Sequence, residues 1–442
     1  MATETAQGVG QAVLTSPAVS AKPSIPPVIR RNTILIAASQ VSTGMGMGLL
    51  PTLGALMVFQ MLGSTALAGT AAVIQGIARF AVAYPAGAIA DRYGRKPAMV
   101  AGLLVAGVGA LVVGTSVAIN SFPLLVVGVF IFAMATGGSM QMRVAATDMY
   151  PPSRRAEGLG YILTGSIAGS IGKAGLIAFA AAVAGRLNLD PFALAWWLVP
   201  VVLLPALLMV SRIRPDPKEI ALNLAQYYPG ADLRPVHRSR RAAAGMPTGT
   251  GFRAYLRDFT KLTVFISHFA VQGNMSMIMV VASLTLAHHG HDLPAIAFSS
   301  MLHSLGMHAF SIPIGWLTDR AGRRAVMLTG LLLAALGTVL IAITGDFWII
   351  TLGFFLVGFG WCGIHVAGTV LLADTSAPAE RARVIGSNDT FSGAANLVLA
   401  LAAGPVLGFV GMDAIALIGI GLMVVPLLMI LKLGERAEVA HG

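Results

Sequence analysis

The chain has 442 residues, of which 56% are hydrophobic and only 11% charged, with 29 Lys and Arg against 18 Asp and Glu for a formal net charge of +11. A mean hydropathy of +0.80 excludes a water-soluble globule, which would have to expose large apolar patches, so most of the surface must face lipid. The basic excess sits in short segments between apolar runs, as an inside-facing loop bias places it, and implies no nucleic-acid partner. The single cysteine, Cys362, excludes a disulfide framework within the chain and any four-cysteine zinc or iron–sulfur site.

Residues 1–30 lack the order of basic, apolar and small-residue regions of a signal peptide, and their Pro, Ser, Thr and Gly content reads as a disordered cytoplasmic tail. A bilayer-crossing helix needs about 20 predominantly apolar residues. Twelve stretches meet that requirement: 32–60, 66–90, 97–116, 123–148, 157–184 and 191–212, then 259–287, 294–317, 325–344, 346–373, 384–410 and 411–433. They group into an N-terminal bundle (31–212) and a C-terminal bundle (259–434), followed by a short tail, 435–442. The segment 213–258, with Arg214, Lys218, Arg234, Arg238, Arg240, Arg241, Arg253 and Arg257, is too polar to cross and reads as a linker. Among the shorter loops, Arg92, Arg95, Lys96, Arg154, Arg155, Arg320, Arg323, Arg324, Arg381 and Arg383 fall on one side and Arg186 alone on the other. The positive-inside rule makes the linker and both termini cytoplasmic.

The halves repeat. Gly87-Ala-Ile-Ala-Asp91-Arg92-Tyr-Gly94-Arg95-Lys96 aligns with Gly315-Trp-Leu-Thr-Asp319-Arg320-Ala-Gly322-Arg323-Arg324 at an offset of 228, and the loop opened by Asp148 aligns with the loop opened by Asp374 at an offset of 226. Two unrelated signals at nearly one spacing indicate parallel repeats of six helices. The G-x-x-x-D-R-x-G-R-[KR] loop after the second and eighth helices resembles the signature of the major facilitator superfamily, and the resemblance covers essentially the whole chain. It implies an all-α integral membrane fold of twelve transmembrane helices in two six-helix pseudo-repeats, and it makes Asp91, Arg95, Asp319 and Arg323 gating residues and not substrate ligands. Carboxylates at helix ends beside guanidinium groups suit pairs made in one state and broken in another.

The start of the second half carries the chemistry. Met275 and Met279 are spaced i, i+4 on the seventh helix and His303 and Met307 on the eighth, so each pair shares one helix face and two facing helices present all four to one point. His268 extends the first stripe. Thioether sulfur is a soft, neutral donor that selects Cu(I), and imidazole also binds copper. The paired motifs Met-x-x-x-Met and His-x-x-x-Met are similar to those of the CcoA-type copper importers within the superfamily. The resemblance implies import of copper across the bacterial cytoplasmic (inner) membrane, with copper as transported substrate and no resident cofactor, by a monomer whose partners are the ion and the lipid bilayer.

Cys362 and His365, three residues apart on the tenth helix, offer a further copper rung. His288, His289, His291 and Asp292 form a loop cluster above the Met pairs that suits either metal collection or simple solvation. Arg79, Arg143 and Lys173 fall within the second, fourth and fifth helices and favour the alternative, a carrier of riboflavin or an organic anion. The same three bases could instead pair with helix C-terminal carbonyls or Asp148, or snorkel, and Arg143 lies near enough to the cytoplasmic end for that. Asp148, Asp319, Asp374 and Asp389 all lie near the cytoplasmic helix ends, which disfavours carboxylate-driven antiport. No nucleophile, base and orienting group occur together, so the chain reads as a carrier and not an enzyme.

Overall fold

The computed structural model describes residues 24–151, 154–229, 255–376 and 381–433; the central part of the linker, with Arg234, Arg238, Arg240, Arg241 and Arg253, lies outside them, as do most of the first tail and the last tail. The first crossing is α1 (Pro27–Met47) continued by α2 (Leu49–Leu62), and the second is α3 (Thr70–Tyr93). Then come α4 (Arg95–Ala118), α5 (Phe122–Met134) with α6 (Thr136–Asp148), α7 (Arg155–Leu187) and α8 (Pro191–Ser211). Two short linker helices follow, α9 (Pro217–Leu222) and α10 (Leu224–Tyr227). The second half consists of α11 (Phe259–His288), α12 (Leu293–His308) with α13 (Ser311–Ala321), α14 (Arg323–Ala342), α15 (Phe347–Asp374), α16 (Arg381–Phe409) and α17 (Met412–Leu431).

Helix α1 starts four residues inside the segment assigned from sequence to the tail. Proline at its first position fits a helix start, because the ring pre-sets φ and the missing N–H has no intrahelical acceptor there. Ten of the described helices are long and apolar enough to cross a membrane on composition alone. The second and eighth crossings are the exceptions. Arg79 and Arg92 dilute α3, and the eighth crossing is broken between His308 and Ser311, two residues before Pro313. Pro85 and Pro313 are separated by the same 228 residues as the two signature loops.

The structure accounts for those loops atom by atom. Gly94 and Gly322 take φ of +108° and +89°, a left-handed turn that an L side chain resists. The next residue opens a helix and reaches back to the aspartate four positions before it. Arg95 Nη1 lies 2.9 Å from Asp91 Oδ1, and its Nε donates to Asp148 Oδ2 at 3.0 Å. Arg323 repeats the arrangement with Asp319 at 3.5 Å and Asp374 at 3.1 Å. The two repeated sequence signals are therefore the two sides of one clamp. Each clamp stays within its own half.

At the linker end, the ion pairs of the two clamps and the bonds that seat the linker helix each stay within one half. At the opposite end the halves meet closely. A Cβ on Gly69 would sit 2.2 Å from the Ala400 carbonyl, and one on Gly404 would sit 2.6 Å from that of Ala66. Ala55, Leu56 and Ala68 of the first half pack in one buried cluster with Met275, Met277, Ile278 and Val281 of the second. The molecule is thus closed at the end away from the linker and parted at the linker end.

The linker helix α9 is docked on the first half by one carboxylate. Asp216 Oδ1 accepts from the backbone N–H of Lys218 (2.8 Å) and of Arg95 (3.0 Å), and Oδ2 accepts from that of Lys96 (2.9 Å). It therefore caps α9 and α4 together. Asp216→Ala is expected to cost ~2 kcal/mol, about what the stronger single caps contribute, and to speed protease cleavage within 217–229. Unchanged thermal unfolding and cleavage of the purified protein would show that the cap does not hold the linker.

Candidate solute site

Helix α12 does not turn His303 outward. The imidazole is fully buried and stacks on Phe354 of α15 with ring centroids 4.1 Å apart. A Cβ on Gly358 would sit 2.4 Å from the His303 carbonyl, so that glycine makes room for the residue. His303 Nδ1 lies 2.8 Å from the Phe354 carbonyl. A carbonyl only accepts, so Nδ1 carries the proton and Nε2 holds a lone pair. That Nε2 is buried without a hydrogen-bond partner. This is the tautomer of a metal-ligating histidine, whose other N–H is tied to an outer acceptor.

Met275 is 6% exposed and belongs to the same buried cluster as Phe354, with Met279 and Met307 packed against that cluster from partly buried positions. The three sulfur-bearing side chains thus line one apolar body, and His303 stacks on one of its members. His268, one helix stripe away, is buried with neither ring nitrogen in a well-formed hydrogen bond, and meets His365 edge-on at 5.6 Å. Cys362 turns to Ser311, at 3.6 Å. The Cys362–His365 rung therefore splits between two neighbours. The loop histidines are engaged locally. Asp292 caps α12 through the Ala295 N–H, His289 donates to the Thr285 carbonyl and His291 to that of Gly345. Among the described residues no three His, Cys, Asp or Glu side chains converge as a metal site.

Lys173 is separate from the two arginines with which it was grouped from sequence. It is 3% exposed, its stem lies against Gly48, where a Cβ would meet Lys173 Cδ at 2.6 Å, and its Nζ donates to Ser300 Oγ at 3.0 Å. Ser300 and Thr52 hydroxyls are 2.9 Å apart, and Thr52 donates to the Gly48 carbonyl at 3.0 Å. Thr52's proton being committed, Ser300 donates to Thr52. One directed chain, Lys173 to Ser300 to Thr52 to Gly48, therefore joins α7, α12 and the α1–α2 break across the seam of the two halves.

Among the described residues Arg79 and Arg143 make neither a hydrogen bond nor an ion pair; Asp148, one of the partners expected for these bases, is held by Arg95. Both arginines are exposed. In the second half, Trp361 stacks on His365 at 4.6 Å and 9°, and its indole N–H donates to Gln272 Oε1 at 2.8 Å. Gln272 donates in turn to Asn396, whose Oδ1 also accepts from the Ser276 hydroxyl. Sequence reasoning passed over Trp361, Gln272, Ser276, Asn396, Thr52 and Ser300. Gln272 and Ser276, polar and spaced i, i+4 in an apolar helix, were the available signal.

A sequence model of the Major Facilitator Superfamily matches residues 36–252 and 264–441. The chain is 28% identical over 408 residues to the uncharacterized MFS-type transporter YdeG of Bacillus subtilis, covering 90% of this chain and 91% of the relative. It is 23% identical over 419 residues to the riboflavin transporter RfnT of Brucella anthropi, covering 92% and 98%. Among solved structures it resembles the nucleoside transporter NupG with a TM-score of 0.67 and 16% identity, covering 91% of this chain and 99% of that one.

The seam makes a measurable prediction. In a Cys362→Ser background, a cysteine in place of Leu56, which is 5% exposed between the halves, is expected to react slowly with a maleimide. Lys173→Met or Ser300→Ala is expected to raise that rate several-fold by breaking the chain that crosses the seam. Equal rates in all three proteins would show that the chain does not hold that end shut.

Proposed function

We propose that this chain, which belongs to the Major Facilitator Superfamily and is a multi-pass membrane transporter, carries copper as Cu(I) into the bacterial cytoplasm by alternating access. Met275, Met279, His303 and Met307 form the proposed site. The observation that carries the reading is His303: its Nδ1–H is anchored on the Phe354 carbonyl, and its buried Nε2 lone pair has no partner. A polar atom left unpaired in a membrane interior is costly, and a soft ion beside thioethers would satisfy it. Four uncharged donors bind without creating a fixed counter-charge, which suits a carrier that must release its cargo. The bias of basic residues places the linker on the cytoplasmic side, so the conformation described faces inward, and the seam built on Lys173 must part for copper to arrive from outside. The clamps at Arg95 and Arg323 are then available to exchange partners when the linker end closes.

A second reading has its own observation. The Trp361–Gln272–Asn396 chain, with His365 stacked on the indole, offers ring and amide contacts to a flat organic solute, and a relative over most of the chain is a riboflavin transporter.

Copper accumulation in a deletion strain complemented with wild type, Met275→Leu or His303→Ala separates the readings. Each variant is expected to lose most of the complemented uptake while reaching the membrane at wild-type level. Wild-type uptake by both would end the copper proposal, and competition by riboflavin would favour the organic solute.

A further inference from the structure

We propose a second soft-metal site at the end of the molecule away from the linker, where His289 Nε2 and Met412 Sδ take up one Cu(I) ion. The site lies wholly within the second half. There the last turn of α11, the loop from α14 to α15 and the start of α17 border a cavity of about 260 Å³, whose walls include Thr285, His289, Thr344, Gly345 and Met412.

One residue positions both donors. The Thr285 carbonyl lies 2.9 Å from His289 Nδ1, so that nitrogen carries the proton and Nε2 keeps its lone pair. The Thr285 hydroxyl donates to Met412 Sδ at 3.8 Å, which holds the thioether at the same wall and leaves its sulfur a second lone pair. A carbonyl behind the ring is the usual support of a metal-binding histidine. Gly345 sets the ring from the other side, since a Cβ there would sit 2.2 Å from His289 Cδ2 and 2.5 Å from Nε2. His291 in turn holds that glycine, its Nε2 donating to the Gly345 carbonyl at 3.3 Å. The His289 ring is exposed, so an ion can reach it, and the exposed His288 stands beside it with ring centroids 5.7 Å apart.

The donors select the ion. A neutral imidazole and a thioether suit Cu(I), whereas Zn²⁺ seeks four ligands and hard cations seek oxygen anions, and no carboxylate lines this cavity. That copper is the ion met here in the cell rests on the proposed function; the geometry of the site does not. His289 lies ten residues beyond Met279 on α11, about 15 Å along the axis. An ion bound there waits outside the closed seam until the halves part.

The test measures Cu(I) bound by the full-length protein, purified in detergent without a histidine tag, by competition with bicinchoninate under ascorbate. Cys362→Ser is present throughout to remove the thiol. Two equivalents are expected in that protein, one after His303→Ala, and none after His303→Ala with His289→Ala. With His303→Ala present, Met412→Leu and Gly345→Ala are each expected to weaken the remaining ion about tenfold or more. Thr285→Val, which keeps the carbonyl and loses the hydroxyl, is expected to weaken it about tenfold, as loss of an outer support does. Zn²⁺ is expected not to displace it. Variants are compared only where elution is monodisperse and helical content is unchanged. One equivalent that His303→Ala removes and His289→Ala leaves overturns this site and keeps the copper reading of the central one. One equivalent that His289→Ala removes and His303→Ala leaves keeps this site and ends the central one. No bound Cu(I) overturns both, and binding indifferent to Met412→Leu, Gly345→Ala and Thr285→Val overturns the assignment of the donors.

Discussion

A buried ammonium inside a membrane protein constrains everything around it. Lys173 is 3% exposed, and the cost of holding its polar head there demands an acceptor within reach. The first half does not supply it. The acceptor is Ser300, in the second half, and the need of that hydroxyl for its own acceptor brings in Thr52 and the Gly48 carbonyl. One polar chain thus fixes which faces of α7, α12 and α2 oppose each other. It also explains a glycine at the α1–α2 break, because the lysine stem occupies the space a side chain would take. The closure of that end is therefore polar at its centre and apolar around it, with Leu56 and Met275 sharing one buried cluster. The hydroxyls and the ammonium of such a seam can exchange each other for water when the halves part, whereas a purely apolar seam would have nothing to exchange.

The opposite end is built on different terms. Its ion pairs join residues of the same half, Arg95 to Asp91 and Asp148, Arg323 to Asp319 and Asp374, so they cannot hold the two halves together in this state. They fasten the second crossing to the fourth, and the eighth to the tenth, inside each bundle. Each half is thereby braced internally, with the carboxylates of Asp91 and Asp319 left exposed. The linker shares in the asymmetry, since Asp216 ties α9 to the first half.

Much of this was legible in the sequence because it rests on local spacing. The twelve crossings, the repeat and the paired i, i+4 motifs are periodic features, and the glycine of each signature loop announces a turn that only positive φ allows. Arg79, Arg143 and Lys173 were conspicuous for the same reason: charge within an apolar run. What could not be read was which of them had partners. Lys173 finds its acceptor 127 positions away, and Asp148 goes to Arg95 and not to the nearer Arg143. Both outcomes are decided by how helices face one another, which no periodicity encodes. The tautomer of His303 and the turn of Cys362 toward Ser311 are of the same kind. Residues passed over, such as Gln272 and Asn396, are single polar side chains whose meaning lies in their mutual contact.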